Sequence, residues 1–260
     1  MVVYNRDKKE LTIPIGWGAI EDGDFYSQEY LTIEALENSE VYFDKDMITT
    51  GADLISVQFS VDKGGWEWVT FSSYSAIIML SKGSRMRLRG SAEKYGAINN
   101  PNEGGYHTGN YFRIKGSVNV YGNIMSLCCG DKFKNVTEWN YPNVFPGLFM
   151  GSDIVSAANL ILPLNSVPEW GYADMFRGCG SLVETPFIAA TQIGESGCRR
   201  MFFRCGNVSS VKCNFAYGSN ITQNWLNGVA ETGTFYGKNV NDWERGDNGI
   251  PEGWEIKNLE

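Results

Sequence analysis

Histidine occurs once in 260 residues, at His107. It lies in the glycine-rich stretch 104–109 with no G-x-S-x-G motif beside it, so local nucleophilic or acid–base chemistry finds no foothold and His107 reads as a loop residue. Positive charge is also short, with 22 Lys and Arg against 30 Asp and Glu and a formal net charge of −8. Nucleic-acid affinity comes largely from cations that displace condensed counterions, so this balance excludes nucleic acid as an expected partner. No C-x-x-C pair occurs among the six cysteines, and the adjacent Cys128-Cys129 is a poor chelate, so buried reduced thiols are expected rather than disulfides or zinc.

Long apolar runs are missing as well. Met1-Val2-Val3-Tyr4 passes directly into Asn5-Arg6-Asp7-Lys8-Lys9-Glu10, which leaves no signal-peptide core, and no later run reaches membrane-span length. The expectation is a chain made in a cytoplasm and not inserted into a membrane. Asp22-Gly23-Asp24 and the group Asp242, Asp247 and Asn248 hint at calcium loops but lack the full oxygen-ligand spacing, and turn chemistry suffices for both. No metal and no cofactor is expected. Paired carboxylates for glycoside hydrolysis are spatial and leave no local mark, but a chain given over to strands and repeats is expected not to be an enzyme.

What is abundant is apolar and aromatic: 43% hydrophobic and 13% Phe, Trp and Tyr, enough for packed cores. In the first half the pattern has period two. Ile55, Val57, Phe59 and Val61 alternate with Ser56, Gln58, Ser60 and Asp62, Lys63-Gly64-Gly65 offers a tight reversal, and 66–71 returns as a partner strand. Further strands are expected at 11–15, 30–36, 77–80, 85–89, 111–115 and 118–121, with 96–110 an elaborated loop; short strands at this spacing predict an antiparallel β-sandwich.

From residue 149 the pattern changes to a threefold phrase. Leu148-Phe149-Met150-Gly151-Ser152, Met175-Phe176-Arg177-Gly178-Cys179-Gly180-Ser181-Leu182 and Met201-Phe202-Phe203-Arg204-Cys205-Gly206-Asn207-Val208 place their phenylalanines 27 and 26 residues apart, a solenoid period. Tyr172, Met175, Phe176 and Cys179 fall at helical spacing and predict a short helical turn in each unit, followed by an extended piece over 155–162, 182–188 or 208–215. The repeat core is expected to comprise Phe149, Met175, Phe176, Cys179, Leu182, Met201, Phe202, Cys205 and Val208. Three units need caps: the sandwich on one side, and on the other a short helix started by Thr222 and ended by Gly228, covered by Trp243 and Trp254.

Asp174-Met175-Phe176-Arg177-Gly178-Cys179-Gly180-Ser181-Leu182 resembles the leucine-rich repeat of the BspA-like surface-protein family, in which an aromatic and a cysteine close a short helix before the next strand. The ending, from Asn224-Trp225-Leu226-Asn227-Gly228-Val229 to Gly249-Ile250-Pro251-Glu252-Gly253-Trp254, is similar to the cap seen with these repeats in proteins of gut Bacteroidales and their phages. Tyr30-Leu31-Thr32-Ile33-Glu34-Ala35-Leu36 and Gly122-Asn123-Ile124-Met125-Ser126-Leu127 resemble the β-domain that commonly precedes them. The sequence departs from the pattern in two places: Arg204 stands where the second unit has Gly178, and the first unit lacks the cysteine.

Together these imply a mainly β chain: an N-terminal arm (1–29), a β-sandwich (30–125) and a leucine-rich-repeat-like α/β solenoid with a C-terminal cap (126–260). The resemblance, with no signal at the start, points to a head or tail fibre or decoration protein on the virion surface of a tailed phage. A bacterial cell-surface adhesin and a polysaccharide-binding or cleaving module are the alternatives. The expected partners are the chain itself, as dimer or trimer, other virion proteins, and a host surface glycan or protein. Leu11, Ile13, Ile15 and Trp17 form a candidate docking segment that otherwise adds a strand to the sandwich. Trp66 and Trp68, two apart on one strand face, are either core or a stacking platform for sugars. Arg85, Arg87 and Arg89 share a face that is either solvated or a contact for anionic glycans.

Overall fold

The computed structural model describes residues 28–45, 55–73, 75–98 and 107–259. The candidate docking residues Leu11, Ile13, Ile15 and Trp17, the strand expected at 11–15 and Asp22-Gly23-Asp24 lie outside the described residues. The chain is mainly β, in sheets followed by a solenoid-like stack of coils. Its first part holds β1 (Leu31–Ala35), β2 (Ser39–Lys45), β3 (Ser56–Val61), β4 (Glu67–Thr70), β5 (Ala76–Leu80), β6 (Arg85–Gly90), β7 (Gly96–Ile98), β8 (His107–Lys115) and β9 (Val118–Asn123).

Strands β9, β1, β6, β3 and β4 lie side by side in one antiparallel sheet, and β5, β2, β8 and β7 in a second. Alternation explains the faces. In β6, Met86 and Leu88 are buried while Arg85, Arg87 and Arg89 are only half covered. The inner faces meet through rings: Phe43 of β2 packs 6.5 Å from Phe59 of β3, and Phe71, just after β4, packs 5.2 Å from Phe112 of β8.

Two local expectations need correction, and β2 lies outside the strands the sequence predicts. The β3–β4 reversal is made by Asp62 and Lys63 at φ 46° and 64°, not by the glycines, with Gly64 bonding back to Val61 at 2.8 Å. Strand β2 carries little sequence signal because Val41 and Phe43 are its only apolar inward residues, flanked by Ser39 and Lys45. The 96–110 stretch is a loop only in part, since β7 and the start of β8 occupy its ends and pair through Gly96↔Gly109. A side chain at Gly109 would stand 2.8 Å from the Tyr95 carbonyl, which is why glycine, normally poor in strands, is used there.

After α1 (Ser126–Cys129) the chain winds into coils stacked in parallel. The first coil adds β10 (Ile154–Ser156) and β11 (Leu160–Ile161) to the free side of β9, so the sheet runs on into the solenoid. Strands β12 (Ser166–Val167) and β13 (Gln192–Ile193) pair in parallel across successive coils, and single bridges join Leu162 to Ile188 and Ile188 to Cys213. At the far end β14 (Ser210–Lys212), β15 (Gly233–Gly237) and β16 (Trp254–Asn258) form a parallel sheet.

The expected helical turns are absent from the coils, and a ribbon of consecutive turns stands in their place. In the second coil the amides of Met175, Arg177 and Cys179 bond back three residues, to Tyr172, Asp174 and Phe176, at 3.0–3.3 Å. The alternate amides of Tyr172, Asp174, Phe176 and Gly178 point to the next coil and bond the carbonyls of Gly197, Arg199, Met201 and Phe203 at 2.8–2.9 Å. A helix would spend every amide within itself; here half are reserved for the neighbouring coil, as in a sheet. Every fourth residue is left-handed: Trp170, Asp174 and Gly178, then Ser196, Arg200 and Arg204. The face period is therefore four, with Met201, Phe202 and Cys205 buried and Arg199, Arg200, Phe203 and Arg204 turned outward.

This ribbon also accounts for the irregular repeat letters. Arg204 and Gly178 hold the same left-handed position, at φ 60° and 73°. Ser152 replaces the cysteine of the first unit: its hydroxyl donates to Phe112 O at 3.0 Å, as the thiols of Cys179 and Cys205 donate to Phe149 O and Phe176 O at 3.1 and 2.9 Å. Phe112 N in turn bonds Leu148 O at 2.8 Å, so β8 acts toward the first coil as each coil acts toward the next.

Residues 220–228 form a fourth pass of the ribbon rather than a capping helix. Phe202 N bonds Trp225 O at 2.9 Å and Arg204 N bonds Asn227 O at 2.8 Å, with Asn224 and Gly228 left-handed. The Thr222 hydroxyl reaches the carbonyls of Gly218 and Asn248 (3.1 and 2.6 Å) and caps no helix. Trp225 is wholly buried beside Trp243, 5.5 Å away, and its indole donates to Gly249 O at 2.7 Å. Trp254 closes the end, donating to Ala230 O at 2.8 Å.

Candidate binding faces

The nine residues of the repeat core, Phe149 to Val208, are all fully buried. Phe112, Phe149, Phe176 and Phe202 form one column, with ring centroids 5.8, 5.6 and 5.6 Å apart and planes within 26°, 20° and 7° of parallel. These side chains build the molecule and present nothing to a ligand.

All six cysteines are free thiols. Burial pushes the thiols of Cys128, Cys179, Cys198 and Cys213 far up, and that of Cys205 up to about 12. Half-covered Cys129 is raised less. Thiolate is the reactive form, so these are packing groups. The folded chain holds the thiol protons more tightly than the unfolded chain, so this part of its stability is complete below about pH 9 and is lost as pH rises toward 12. The urea midpoint is expected to stay level up to about pH 8.5 and then fall, each thiol costing up to about 1.4 kcal/mol per pH unit. A midpoint that holds level to pH 11 would contradict this burial.

Among the described residues no group of three His, Cys, Asp or Glu side chains is placed to hold a metal. Asp242 and Asp247 are exposed, and Asn248 is used structurally, accepting from Asn224 N at 3.0 Å. His107 opens β8 instead of sitting in a loop. No described helix is long and apolar enough to cross a membrane.

Trp66 and Trp68 lie on the outer face of the first sheet, not in its core. Trp68 is 65% exposed and stands opposite Gln58 of β3. Trp66 is held edge-on by Tyr30, ring centroids 5.1 Å apart, and lies under the guanidiniums of Arg89 and Arg87 at 4.1 and 5.3 Å. The three arginines are tied down rather than freely solvated. Arg85 Nε donates to Glu34 at 2.8 Å, Arg87 Nη2 to Ser60 Oγ at 2.9 Å, and Arg89 Nε to Gln58 at 2.8 Å.

Asp131, from the 3-10 turn Gly130–Asn135, completes this face. It accepts from Tyr30 Oη at 2.7 Å and Arg89 Nη1 at 2.5 Å. Those two bonds lower the Asp131 pKa, while burial and then Asp131 raise that of Tyr30. An exposed indole above a pre-oriented lattice of guanidiniums, carboxylates and an amide can stack on a flat ring and exchange hydrogen bonds with its substituents. The sequence marks the two tryptophans and the three arginines as separate groups; Tyr30 and Asp131, 101 positions apart, have no local signal.

No protein-family model, curated protein or solved structure matches the chain.

Proposed function

We propose that the chain is a non-enzymatic building and surface-interaction protein, a β-sandwich followed by a short leucine-rich-repeat-like solenoid whose helices are replaced by turn ribbon. The observation that carries this is the phenylalanine column, which runs from Phe112 in a sheet to Phe202 in the third coil. The repeated residues are thereby spent on one rigid core, and recognition is left to the outer faces, of which the Trp68 face is the best organised.

The setting follows from the resemblance of the repeats and their cap: the virion surface of a tailed phage of gut Bacteroidales, as head or tail fibre or decoration protein. There the chain self-associates on a symmetric position and contacts other virion proteins, with a host surface glycan or protein as its outward partner. Mass spectrometry of purified particles is expected to find the chain in fixed stoichiometry with the coat and tail proteins. Its absence from the particles, or its recovery in the host envelope, rejects the virion setting.

A further inference from the structure

The outward face of the turn ribbon gathers positive charge beyond the one arginine, Arg200, that pairs with buried Asp174. Arg177 stands on the second coil and Arg199, Arg200 and Arg204 on the third, in a chain whose net charge is −8. Asp174 is the carboxylate set among them, 3.0 Å from Arg200 Nε and 3.7 Å from Arg177 Nη1. The face thus carries four guanidiniums, with the Asp174 carboxylate lying between those of Arg200 and Arg177.

The arrangement is organised in advance. The guanidiniums of Arg177 and Arg204 lie 5.7 and 5.1 Å from the ring of Phe203, and that of Arg199 lies 5.2 Å from the ring of Trp170. On successive coils Asp174 lies in register with Arg200, Arg177 with Phe203 and Gly178 with Arg204, so the arginines are spread along the ribbon at fixed, different positions. Burial and then the charge of Arg200 lower the Arg199 pKa, against the pull of Asp174. The fourth ribbon pass sets Gln223, Asn224 and Asn227 beside them at outward positions. A side chain at the neighbouring outward position, Gly228, would come within 3.3 Å of Arg204 Cα, and glycine keeps that approach open.

We propose that this ribbon face binds an acidic polysaccharide, its carboxylate or sulfate groups taken by Arg177 and Arg204 and its hydroxyls by the amides of the next coil. Guanidinium forks suit such oxyanions. A uronate chain carries about one charge per sugar between hydroxyl-rich faces, which matches a few cations flanked by amides. A polynucleotide, with one charge per ~1.7 Å of duplex, carries a charge density that these few cations do not match. This site is separate from the Trp68 face and does not depend on where the protein is displayed.

Affinity electrophoresis of the full chain in gels containing polygalacturonate, neutral dextran or polyglutamate tests the proposal. Polygalacturonate is expected to retard the protein at low salt and release it at high salt, while dextran has no effect. Arg177→Gln and Arg204→Gln should each weaken retardation about tenfold, the worth of one charge-assisted contact, and Lys257→Gln on β16 should not. Arg204 is exposed, so its variant stays informative if Arg177→Gln lowers the melting midpoint. No retardation, retardation unchanged in both arginine variants, or polyglutamate acting as strongly as polygalacturonate overturns it.

Discussion

Phe176→Ala is expected to cost about 3–5 kcal/mol in urea unfolding, the range for large aromatic truncations in a core. Phe176 is fully buried, with Phe149 and Phe202 each 5.6 Å away on either side. Such a cavity is costly because its walls cannot close. Phe176 N bonds Met201 O at 2.9 Å and Phe176 O receives the thiol of Cys205 at 2.9 Å, so the backbone on one side is held to the next coil. On the other side Phe149 N is fixed to Met175 O at 2.9 Å. Truncating Phe187, which is 42% exposed, should change stability by no more than about 0.5 kcal/mol.

The same variant tests whether sheets and coils unfold as one. One hydrophobic cluster reaches from Leu31 to Trp254, and the column crosses from β8 into the coils without a gap. Tryptophan fluorescence, to which Trp66 and Trp68 of the sheets and Trp225, Trp243 and Trp254 of the coils contribute, and far-ultraviolet circular dichroism should therefore shift together, with an unchanged slope in urea. A midpoint unmoved by the truncation, or two separated transitions, would show that the coils are not continuous with the sheets.

Most of the strands, and the residues that fill the coil interior, were legible in the sequence; the form of the coil was not. Period two marks a half-buried strand directly, so β1, β3, β4, β6 and β9 emerged within a residue or two of their bounds. The spacing of Tyr172, Met175, Phe176 and Cys179 correctly grouped inward residues but suggested a helix. A ribbon with two residues in and two out yields the same spacings of three and four. The two differ in where alternate amides go, which depends on a coil some 26 residues away, and in left-handed positions occupied by Asp174, Arg200 and Arg204, which no propensity favours strongly. The fourth pass was hidden for a related reason: Trp225-Leu226 fills the place of Met201-Phe202 with different letters. The outer faces were the least legible, because Trp66, Arg89, Tyr30 and Asp131 meet only through the sheet register and the turn beyond β9.

Asp174→Asn should be the second most damaging change, at about 3 kcal/mol, although it alters almost no volume. Asp174 has 1% of its side chain exposed, accepts a hydrogen bond from Arg200 Nη2 at 3.0 Å and has Arg200 Nε in ion-pair contact with Oδ1 at 3.0 Å. Asp174 and Arg200 occupy the same left-handed ribbon position on successive coils, at φ 54° and 49°. The ion pair therefore ties neighbouring coils where both backbones are strained. Removing one partner of a buried pair leaves the other charge uncompensated, which typically costs about 3–5 kcal/mol. Asparagine tolerates left-handed φ as aspartate does, so the substitution isolates the charge from the backbone. The partner change Arg200→Gln in the same chain should recover part of the loss, because both buried charges are then gone, and a double-mutant cycle measures how much. Purely additive losses would mean that the Asp174 carboxylate stabilises the ribbon independently of Arg200. The cycle also bears on recognition: with Asp174 neutralised the ribbon face gains one net positive charge, so Asp174→Asn should bind polygalacturonate more tightly while folding less stably. A carboxylate that strengthens the coil stack while restraining anion affinity is the trade expected where one rigid surface must both hold the structure together and bind.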